Sequence, residues 1–467
     1  MEGPGICGFG GKQWGAPVAA TDEATRTSRR TAPPEALYDK LRPGPGMTAS
    51  AVASNQSARL YAAMIEIVGT RGYQAVTVRE VASRAGVSTR AFYAHFQDKD
   101  DCVLRTYELV VQRATAGIVA AQSGERDWWK RMRRAFEAFA REVEQRPLAA
   151  RVALVEPYAM GSMALDRVRR TENLFEAMLA NSLARTPEPV ELPPLVVKGM
   201  VAGISRVATT RLLSGREGEL LGLSSDLQQW VLSLHDVAAG EVRDLATHVL
   251  EARPALAPRH EPAASAANGS VREDDRALIL TAVAKLAASK GYVALTAPRI
   301  RSAAGVSRRN FDNHFEGVQD CFLAALEQRT IGAVGLASAH AREGGNWADN
   351  VHLTIARLCA HIASDPLLSR LAFVDLVAAG SAGLRCRERI ITQIAESFAS
   401  GPAGEAPGAL AAEASVGAVW AVLHGYVTAG RTHELARIAP TLSYLALAPA
   451  IGATRAAEAI RGAEERC

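Results

Sequence analysis

The sequence has few of the features that mark secreted, membrane and metal-binding proteins. Its 467 residues include only six cysteines, and these form neither a CxxC pair nor a Cys/His group with zinc spacing. Isolated thiols are typical of a reducing compartment. No apolar run approaches the roughly 20 residues that a membrane span needs, and the N-terminus lacks the apolar core of a signal peptide. The composition therefore predicts a cytoplasmic protein with no membrane contact and no metal site.

Charge imbalance and catalytic motifs are also missing. The chain has 53 Lys and Arg against 49 Asp and Glu, so any surface for nucleic acid must be a local patch. The sequence contains no nucleophile motif, no glycine-rich phosphate loop and no carboxylate or histidine cluster at ligand spacing. It offers no candidate catalytic residue and no cofactor site, and we expect a protein that is not an enzyme.

The chain does contain a long internal repeat. With a shift of 219 residues, segment 72–104 aligns without a gap with segment 291–323, and 16 of the 33 positions are identical. The same shift pairs Trp128 with Trp347. A repeating unit of about 200 residues is far longer than a solenoid repeat, so we interpret the chain as a tandem duplication of a complete protein.

The repeat sets the expected domain boundaries. A stretch rich in Pro, Ala and small polar residues separates the two copies and is typical of an exposed linker. The segment before the first copy has the composition of a disordered extension. The predicted division is a disordered extension at 1–54, a helix-turn-helix domain at 55–105, a helical domain at 106–251, a linker at 252–272, a second, degenerate helix-turn-helix domain at 273–324 and a second helical domain at 325–463.

Helical periodicity predicts an all-α chain. Leu60, Met64 and Ile67 recur at helical spacing, and the pattern stops at Gly72. No segment alternates convincingly with the period of two that a strand requires.

The sequence of the first copy predicts a helix-turn-helix motif. Thr77 followed three residues later by Glu80 is a capping-box pattern, which predicts a helix start. Gly86 lies in a tight turn where positive φ is expected, and Ser88 can cap a second short helix. Two short helices joined by a Gly-containing turn form this motif.

The pattern across residues 59–104 resembles the N-terminal domain of TetR-family transcriptional regulators. The residues that carry the resemblance are Gly72, Tyr73, Thr77, Val81, Ala82, Ala85, Gly86, Val87, Ser88, Phe92, Tyr93, His95, Phe96 and Lys99. The resemblance implies three N-terminal helices that bind DNA and a longer helical domain that binds a small ligand and dimerises.

The second helix of such a motif lies in the major groove, and its first residues face base edges. Thr89, Arg90 and Ala91 occupy those positions. Tyr93, His95 and Lys99 are placed towards phosphates, and Arg79 completes the set of candidate DNA contacts. The competing interpretation is a helix-turn-helix shape without DNA binding, because short motifs give false positives.

The second copy keeps the folding residues and changes the contact residues. Asp312 replaces Tyr93 and puts an anion where the family presents a hydroxyl to a phosphate. Val318 replaces Lys99, which removes a cation. The phosphate contacts of this copy are therefore expected to be damaged.

The second copy also gains polar groups that suit base reading. Its candidate contacts are Arg308, Arg309, Asn310 and His314. Arginine and asparagine are good readers of base edges. Two interpretations stay open: this copy touches DNA, or it is a degenerate domain retained for pairing.

Aromatic and methionine residues of the first helical domain could line a cavity for a small apolar ligand. The candidates are Trp129, Phe136, Phe139, Tyr158, Met163 and Phe175. A stripe of this kind at helical spacing is also typical of plain core. If only one unit senses a ligand, the fuller set of aromatics favours the first.

The resemblance implies a two-fold dimer, and a tandem chain can supply both halves. The predicted pairing brings 195–213 and 226–250 against 411–429 and 442–460. The expected function is a transcriptional repressor that binds a double-stranded operator as an internal pseudo-dimer and is released from it by a ligand. The alternative is an adaptor or ligand-sensing protein whose TetR-like domains serve mainly for protein pairing.

Overall fold

The computed structural model describes residues 48–160, 162–186, 192–235, 271–341, 346–365, 369, 371–376 and 379–466, and every regular element in these ranges is helical. This confirms the all-α prediction. The helices of the first half are α1 (Ala49–Arg71), α2 (Val78–Ala85), α3 (Thr89–His95), α4 (Lys99–Gln122), α5 (Trp128–Gln145), α6 (Pro147–Leu154), α7 (Ser162–Leu183), α8 (Pro194–Leu213) and α9 (Ser224–Ser233). Those of the second half are α10 (Val271–Lys290), α11 (Ala297–Ala304), α12 (Arg308–His314), α13 (Val318–Ala341), α14 (Trp347–Ser364), α15 (Gly380–Ala399), α16 (Ala409–Thr428), α17 (Leu435–Ile451) and α18 (Ala453–Arg466). The predicted linker falls almost entirely outside the described residues.

Helix α1 begins earlier than the predicted domain boundary at residue 55. Thr48 caps it by accepting a hydrogen bond from the backbone N–H of Ala51 at 3.1 Å, and residues 49–54 are helical. The first turns carry small and polar residues without an apolar stripe, so periodicity gave no signal there. The rest of the predicted extension, 1–47, lies outside the described residues.

Helices α1 to α3 and the start of α4 share a small core, to which α6 and α7 add a few residues such as Val152 and Ala164. Leu60 and Met64 from α1 meet Val81 from α2 and Phe92 from α3, and all four are buried. Their burial leaves the opposite faces of α2 and α3 in solvent, which is the arrangement that a helix-turn-helix needs in order to meet DNA.

The caps of the motif form largely as predicted. Thr77 Oγ1 accepts the N–H of Glu80 at 3.3 Å, and Ser88 Oγ accepts the N–H of Ala91 at 3.1 Å. Gly86 ends α2 at φ +62°. The capping box is only half made, because the Glu80 carboxylate pairs with Arg71 on α1. The ion pair ties α2 to α1 instead of closing the box.

The same succession of elements recurs in α10 to α13. Gly305 ends α11 at φ +69°, and Ser307 Oγ accepts the N–H of Asn310 at 3.1 Å. Within the described residues Thr296 makes no side-chain cap hydrogen bond, and Pro298 stands in the first turn of α11. Arg299 stands where the first copy has Glu80, so this copy also lacks the carboxylate of a capping box.

Beyond these domains, one continuous buried cluster contains residues of both halves. Helix α8 packs along α16, and the predicted pairing helices therefore contact each other. A Cβ at Gly203 would lie 2.8 Å from the carbonyl oxygen of Ala414, so glycine permits this close approach. The predicted pairing segment 236–250 lies outside the described residues.

Polar bonds also cross between the halves in this region. Arg211 Nη1 donates to both carboxylate oxygens of Glu413 at 2.6 and 2.9 Å. Trp230 Nε1 donates to Ser415 Oγ at 3.1 Å. Both bonds lie in the contact between α8, α9 and α16, and they fix its register.

Helix α16 corrects one expectation from the sequence. By length and composition alone it is apolar enough to cross a membrane, although no such segment was expected. It contains small residues throughout and a single charge, Glu413, which is paired with Arg211. Its packing against α8, α15 and α17 is that of a core helix.

Candidate DNA-binding surface and ligand cavity

The N-terminal end of α3 presents the groups that the sequence assigned to DNA. Thr89 and Arg90 are exposed, and Ala91 is half-buried. Tyr93 is 59% exposed although it is a large aromatic residue, and its ring packs edge-on against Phe92 at 5.5 Å. An exposed tyrosine beside an exposed arginine suits contact with a backbone phosphate and a base edge.

Arg59 of α1 holds the turn of the motif, and the sequence analysis missed it. Its side chain is buried, and Nη1 donates to the carbonyl oxygens of Ala85 at 2.7 Å and Gly86 at 3.3 Å. These carbonyls lie at the end of α2, where helical partners run out. The sequence feature that could have identified Arg59 is its position next to Leu60, on the face of α1 that is buried. The second copy has Leu278 at this position, and that side chain is 51% exposed.

The groups assigned to phosphates are partly engaged within the chain. Lys99 Nζ lies 4.5 Å from the centre of the Tyr73 ring, and the Tyr73 hydroxyl donates to Asp100 at 2.5 Å. His95 Nε2 lies 3.2 Å from Gln56 Oε1 on α1. Burial lowers the pKa of His95, so the ring is neutral near pH 7 and acts as a hydrogen-bonding group.

Arg79 of α2 is exposed and lies two residues after Thr77, at the edge of the same surface. It remains a candidate contact on the strength of its position and charge.

The second copy presents a different surface. Arg308 and Arg309 are exposed at the start of α12, and Arg308 Nε lies 3.4 Å from Asp312 Oδ2 one turn later. The Asn310 amide donates to Asp275 of α10 at 2.7 Å, so one of its two N–H groups is used inside the domain. His314 is half-buried. The residues that differ from the first copy are thus exposed in part, but they also make polar contacts within the second copy.

The first cavity has a volume of about 260 Å³ and lies between α4 to α8 and the helices of the second half. Phe136, Phe139 and Phe175, three of the sequence candidates, line it. Trp129 does not line it, because its side chain points outward and is 43% exposed. Met163 packs against the core of the N-terminal domain instead. The Tyr158 side chain lies outside the described part of the chain.

One end of this cavity is charged, which the sequence did not indicate. Lys198 Nζ lies 3.9 Å from a Glu172 carboxylate oxygen, and Glu176 stands one turn further along α7. Burial raises the pKa values of Glu172 and Glu176. Partly desolvated carboxylates next to an ammonium can meet the polar end of a ligand.

The second half contributes the rest of the polar wall. Arg387 and His424 line the cavity, and Glu388 pairs with Arg206 across the contact between the halves. Burial, with the nearby cation of Arg387, lowers the pKa of His424 to about 4, so this imidazole is neutral at pH 7. The cavity is built from both halves, and the sequence pattern of one copy does not indicate which residues of the other copy will reach it. For that reason Arg387 and His424 were missed.

The end of α6 and the short segment after it contact both the cavity and the helix-turn-helix domain. Leu154 and Pro157 line the cavity. Between them, the buried Glu156 carboxylate accepts the backbone N–H of Tyr73 at 2.9 Å. The backbone carbonyl of Ala159 accepts a further bond from Gln74 at 3.2 Å. The cavity wall is therefore bonded directly to the segment between α1 and α2.

Comparisons with known proteins agree with this N-terminal geometry. Residues 60–106 match the family model of bacterial regulatory proteins of the tetR family. Over 111 residues the chain is 32% identical to the HTH-type transcriptional activator FasR of Mycolicibacterium smegmatis, an alignment that covers 24% of this chain and 51% of that protein. The chain thus spans about half the length of this curated relative. The matched residues run from within α1 to the first turns of α4 and include the whole of α2 and α3.

Solved structures with similar chains include two bacterial regulators. The fatty acid degradation regulator FadR from Bacillus halodurans is 17% identical with a TM-score of 0.35, covering 37% of this chain and 96% of that one. A TetR-like transcriptional regulator from Rhodococcus sp. RHA1 is 18% identical with a TM-score of 0.33, covering 39% of this chain and 96% of that one.

Proposed function

We propose that this chain is a transcriptional regulator of the TetR type that binds an operator through α3 and loses DNA affinity when an amphipathic ligand fills the first cavity. The observation that carries the proposal is the pairing of an exposed Arg90 and Tyr93 with a turn fixed by buried Arg59. A rigid support under an exposed contact helix is what base reading requires, since loosely held contacts lose specificity.

On DNA, Arg90 is assigned to a base edge in the major groove. Arginine is the commonest reader of guanine because its guanidinium can donate two parallel bonds. Tyr93 and the first turn of α4, which carries Lys99, are assigned to phosphates. The half-buried His95 orients α3 through its bond with Gln56.

The two halves are assigned to the roles of two subunits. The internal repeat, the α8–α16 packing and the hydrogen bonds from Arg211 Nη1 to Glu413 all support this assignment. We expect a single-chain mass in light scattering of the full-length protein. A stable dimer with two first-copy domains on one operator would contradict internal pairing.

Ligand release is assigned to the segment around Glu156. A ligand with an apolar body fits the phenylalanine-lined part of the first cavity, and its polar end meets the charged groups near Lys198. A shift of Leu154 or Pro157 on filling would move Glu156 and, through it, Tyr73. Tyr73 contacts both Lys99 and Asp100 at the start of α4. Occupancy of the cavity thereby disfavours the DNA-bound arrangement.

One alternative is supported by the second copy. The Asn310–Asp275 bond and the Arg308–Asp312 pair use groups that base reading would need. These contacts favour a second domain that serves pairing more than DNA binding. The sign of regulation is also open to activation, since the curated relative is named an activator.

The test is DNA binding by the full-length chain, measured as fluorescence anisotropy with its own upstream DNA and with a scrambled duplex. We expect the upstream DNA to bind at least tenfold more tightly, and Arg90→Ala to remove most of that preference. Lys130→Ala, which removes an exposed charge at the start of α5, is the matched control and should leave it unchanged. Equal affinity for the two duplexes would contradict the proposal.

A further inference from the structure

The outer face of the α1–α2 pair is electrically balanced in the first copy. Arg71 on α1 pairs with Glu80 on α2. Arg84 on α2 pairs with Glu66 on α1. Each of these cations has a carboxylate as its partner, so the face offers little attraction to a charged molecule from outside.

The equivalent face of the second copy, on α10 and α11, has lost this balance. With the shift of 219 residues, Lys285 and Arg299 occupy the positions of the two glutamates. Lys290 occupies the position of one arginine, and Ala303 occupies that of the other. Two carboxylates have become cations, so this face carries three positive charges and none of the four positions is acidic.

The three cations have no counter-ion on this face. Lys285, Lys290 and Arg299 are exposed, and none of them forms an ion pair with a residue that the structure describes. Two acidic residues of the same domain, Asp275 and Asp312, make polar contacts with residues of α12 instead. Exposed charges of one sign attract molecules of the opposite sign, so this face suits an anionic partner.

An apolar side chain lies beside two of these cations. Val293, in the short turn Tyr292–Ala294, is 91% exposed. Arg299 Nη1 donates to the backbone carbonyl of Ala294 at 3.0 Å, which holds the guanidinium against this turn. Lys290 ends α10 three residues before Val293. The face therefore presents an apolar contact together with positive charge.

The first copy uses the same turn for a contact within its own unit. Gln74 occupies the position of Val293, and its amide donates to the backbone carbonyl of Ala159 at 3.2 Å. A valine cannot donate this hydrogen bond, and its side chain is turned to solvent instead. The replacement removes an internal contact and adds an apolar group to the surface.

The apolar contact and the position along α10 favour a protein over DNA as the partner. A phosphate backbone presents charge without apolar surface, so it would leave Val293 unused. The helix that would read bases, α12, is bonded to Asp275 near the start of α10. Lys290 follows about 22 Å further along that helix, at a rise of about 1.5 Å per residue. A peptide with carboxylates around an apolar side chain matches both features.

We propose that Lys285, Lys290, Val293 and Arg299 form a docking surface for an acidic segment of a partner protein. Carboxylates of the segment pair with the three cations, and an apolar side chain packs on Val293. Complementary charge of this kind selects the partner and speeds its association. The surface does not involve α3, so this role does not depend on the DNA binding proposed above.

The probe is a short fluorescein-labelled peptide of glutamates with two interior leucines, and its anisotropy is measured with the full-length chain. We expect saturable binding of one peptide per chain that weakens as salt is added. Lys285→Glu together with Arg299→Glu gives the second copy the charges of the first and should weaken binding at least tenfold. Arg126→Glu together with Lys130→Glu makes the same change of charge at exposed positions of the first half. This matched control should bind the peptide like the unmodified chain.

The apolar contact is tested with Val293→Ser. We expect about two- to fivefold weaker binding of the leucine-containing peptide, because the valine loses apolar area that the peptide covers. A peptide with serines in place of the leucines should bind the two chains equally. If Val293→Ser left the affinity for the first peptide unchanged, the apolar contact would be wrongly assigned.

Three results would overturn the docking surface. The first is the absence of saturable peptide binding to the folded chain. The second is an equal loss in the control variant, since binding would then be general attraction to positive charge. The third is that the Lys285→Glu and Arg299→Glu variant loses affinity for the upstream duplex and keeps its affinity for the peptide, because the face would then contact DNA. The substituted side chains are all exposed, so the variants are expected to fold.

Discussion

The carboxylate of Glu156 accepts the backbone N–H of Tyr73 at 2.9 Å, although 83 positions separate the two residues in the chain. The bond is buried, and it joins the segment between Leu154 and Pro157, which line the first cavity, to the helix-turn-helix domain. Burial raises the pKa of Glu156, with the Tyr73 N–H and Arg151 acting in the opposite direction. Folding therefore disfavours the ionised form of the Glu156 carboxyl group relative to its neutral form.

Replacing Glu156 by Gln should make stability less dependent on pH. A raised carboxyl pKa means that the stability contribution is fully present below the ordinary value of 4.5 and is lost as the pH rises through the folded pKa. The glutamine oxygen still accepts the Tyr73 N–H. We expect Glu156→Gln to equal or exceed the original chain in denaturation midpoint at pH 7, with the gain shrinking towards pH 4. If the stability gained by Glu156→Gln increased on acidification, the pKa of Glu156 could not be raised in the folded chain.

Replacing Glu156 by Ala should have the opposite effect at neutral pH. It leaves the buried N–H of Tyr73 without its acceptor, which costs about 1–3 kcal/mol. Urea denaturation at pH 7 measures the difference. Stability equal to that of Glu156→Gln would show that the hydrogen bond contributes nothing.

Arg59→Leu copies into the first domain the residue that the second copy has at this position. The carbonyls of Ala85 and Gly86 lose their donor, so the turn is less firmly held. We expect faster amide exchange in α2 and α3 and at least tenfold weaker DNA binding. Arg84→Leu removes an exposed arginine that pairs with Glu66, and it should change either quantity far less. If the two substitutions changed amide exchange and DNA affinity equally, Arg59 would have no special role in holding the turn.

The contacts assigned to DNA are separated by salt and sequence dependence. Arg90→Ala should relax the preference at one base pair by about 1–3 kcal/mol. Lys99→Ala should weaken binding to all sequences alike and reduce the salt slope by about one unit. Titrations at several salt concentrations measure both quantities. An unchanged salt slope in Lys99→Ala would mean that the ammonium serves only the Tyr73 ring.

The Arg211–Glu413 bond offers a test of the contact between the halves. Both side chains are mostly buried, and removing one partner leaves an uncompensated charge that costs about 3–5 kcal/mol. We expect Arg211→Met to destabilise strongly and the double variant with Glu413→Leu to recover much of the loss. Thermal unfolding of the four chains gives the coupling energy. Additive effects would show that the pair does not hold the halves together.

The second copy predicts an asymmetric operator. Asp312→Tyr together with Val318→Lys introduces the residues that the first copy has at these positions and also releases Arg308 from Asp312. We expect tighter binding and a footprint extended on one side. A symmetric footprint that the double substitution leaves unchanged would show that these replacements do not affect DNA contact.

The helix-turn-helix was predictable because its signals are local. Caps such as Ser88, the turn at Gly86 and the core position of Phe92 lie within a few residues of one another, and each has one dominant structural meaning. Arg59 was harder to assign, because its partners are carbonyl oxygens 26 and 27 positions away and carbonyls leave no trace in a sequence.

The first cavity was predictable only in part. The phenylalanines of the first half were found because apolar residues at helical spacing must face inward. Their neighbours Arg387 and His424 come from the other half, and no local pattern connects segments more than 200 positions apart. Trp129 was misplaced because periodicity cannot tell the edge of an apolar stripe from its centre.

The packing of α8 against α16 joins two segments of one polypeptide. Such a contact has no dissociation constant, so dilution does not separate its two sides. Operator occupancy should therefore rise with the first power of protein concentration, where a regulator assembled from two chains follows the square at low abundance. If the two halves pair as proposed, a defective copy of the gene also cannot inactivate a functional one by forming mixed dimers.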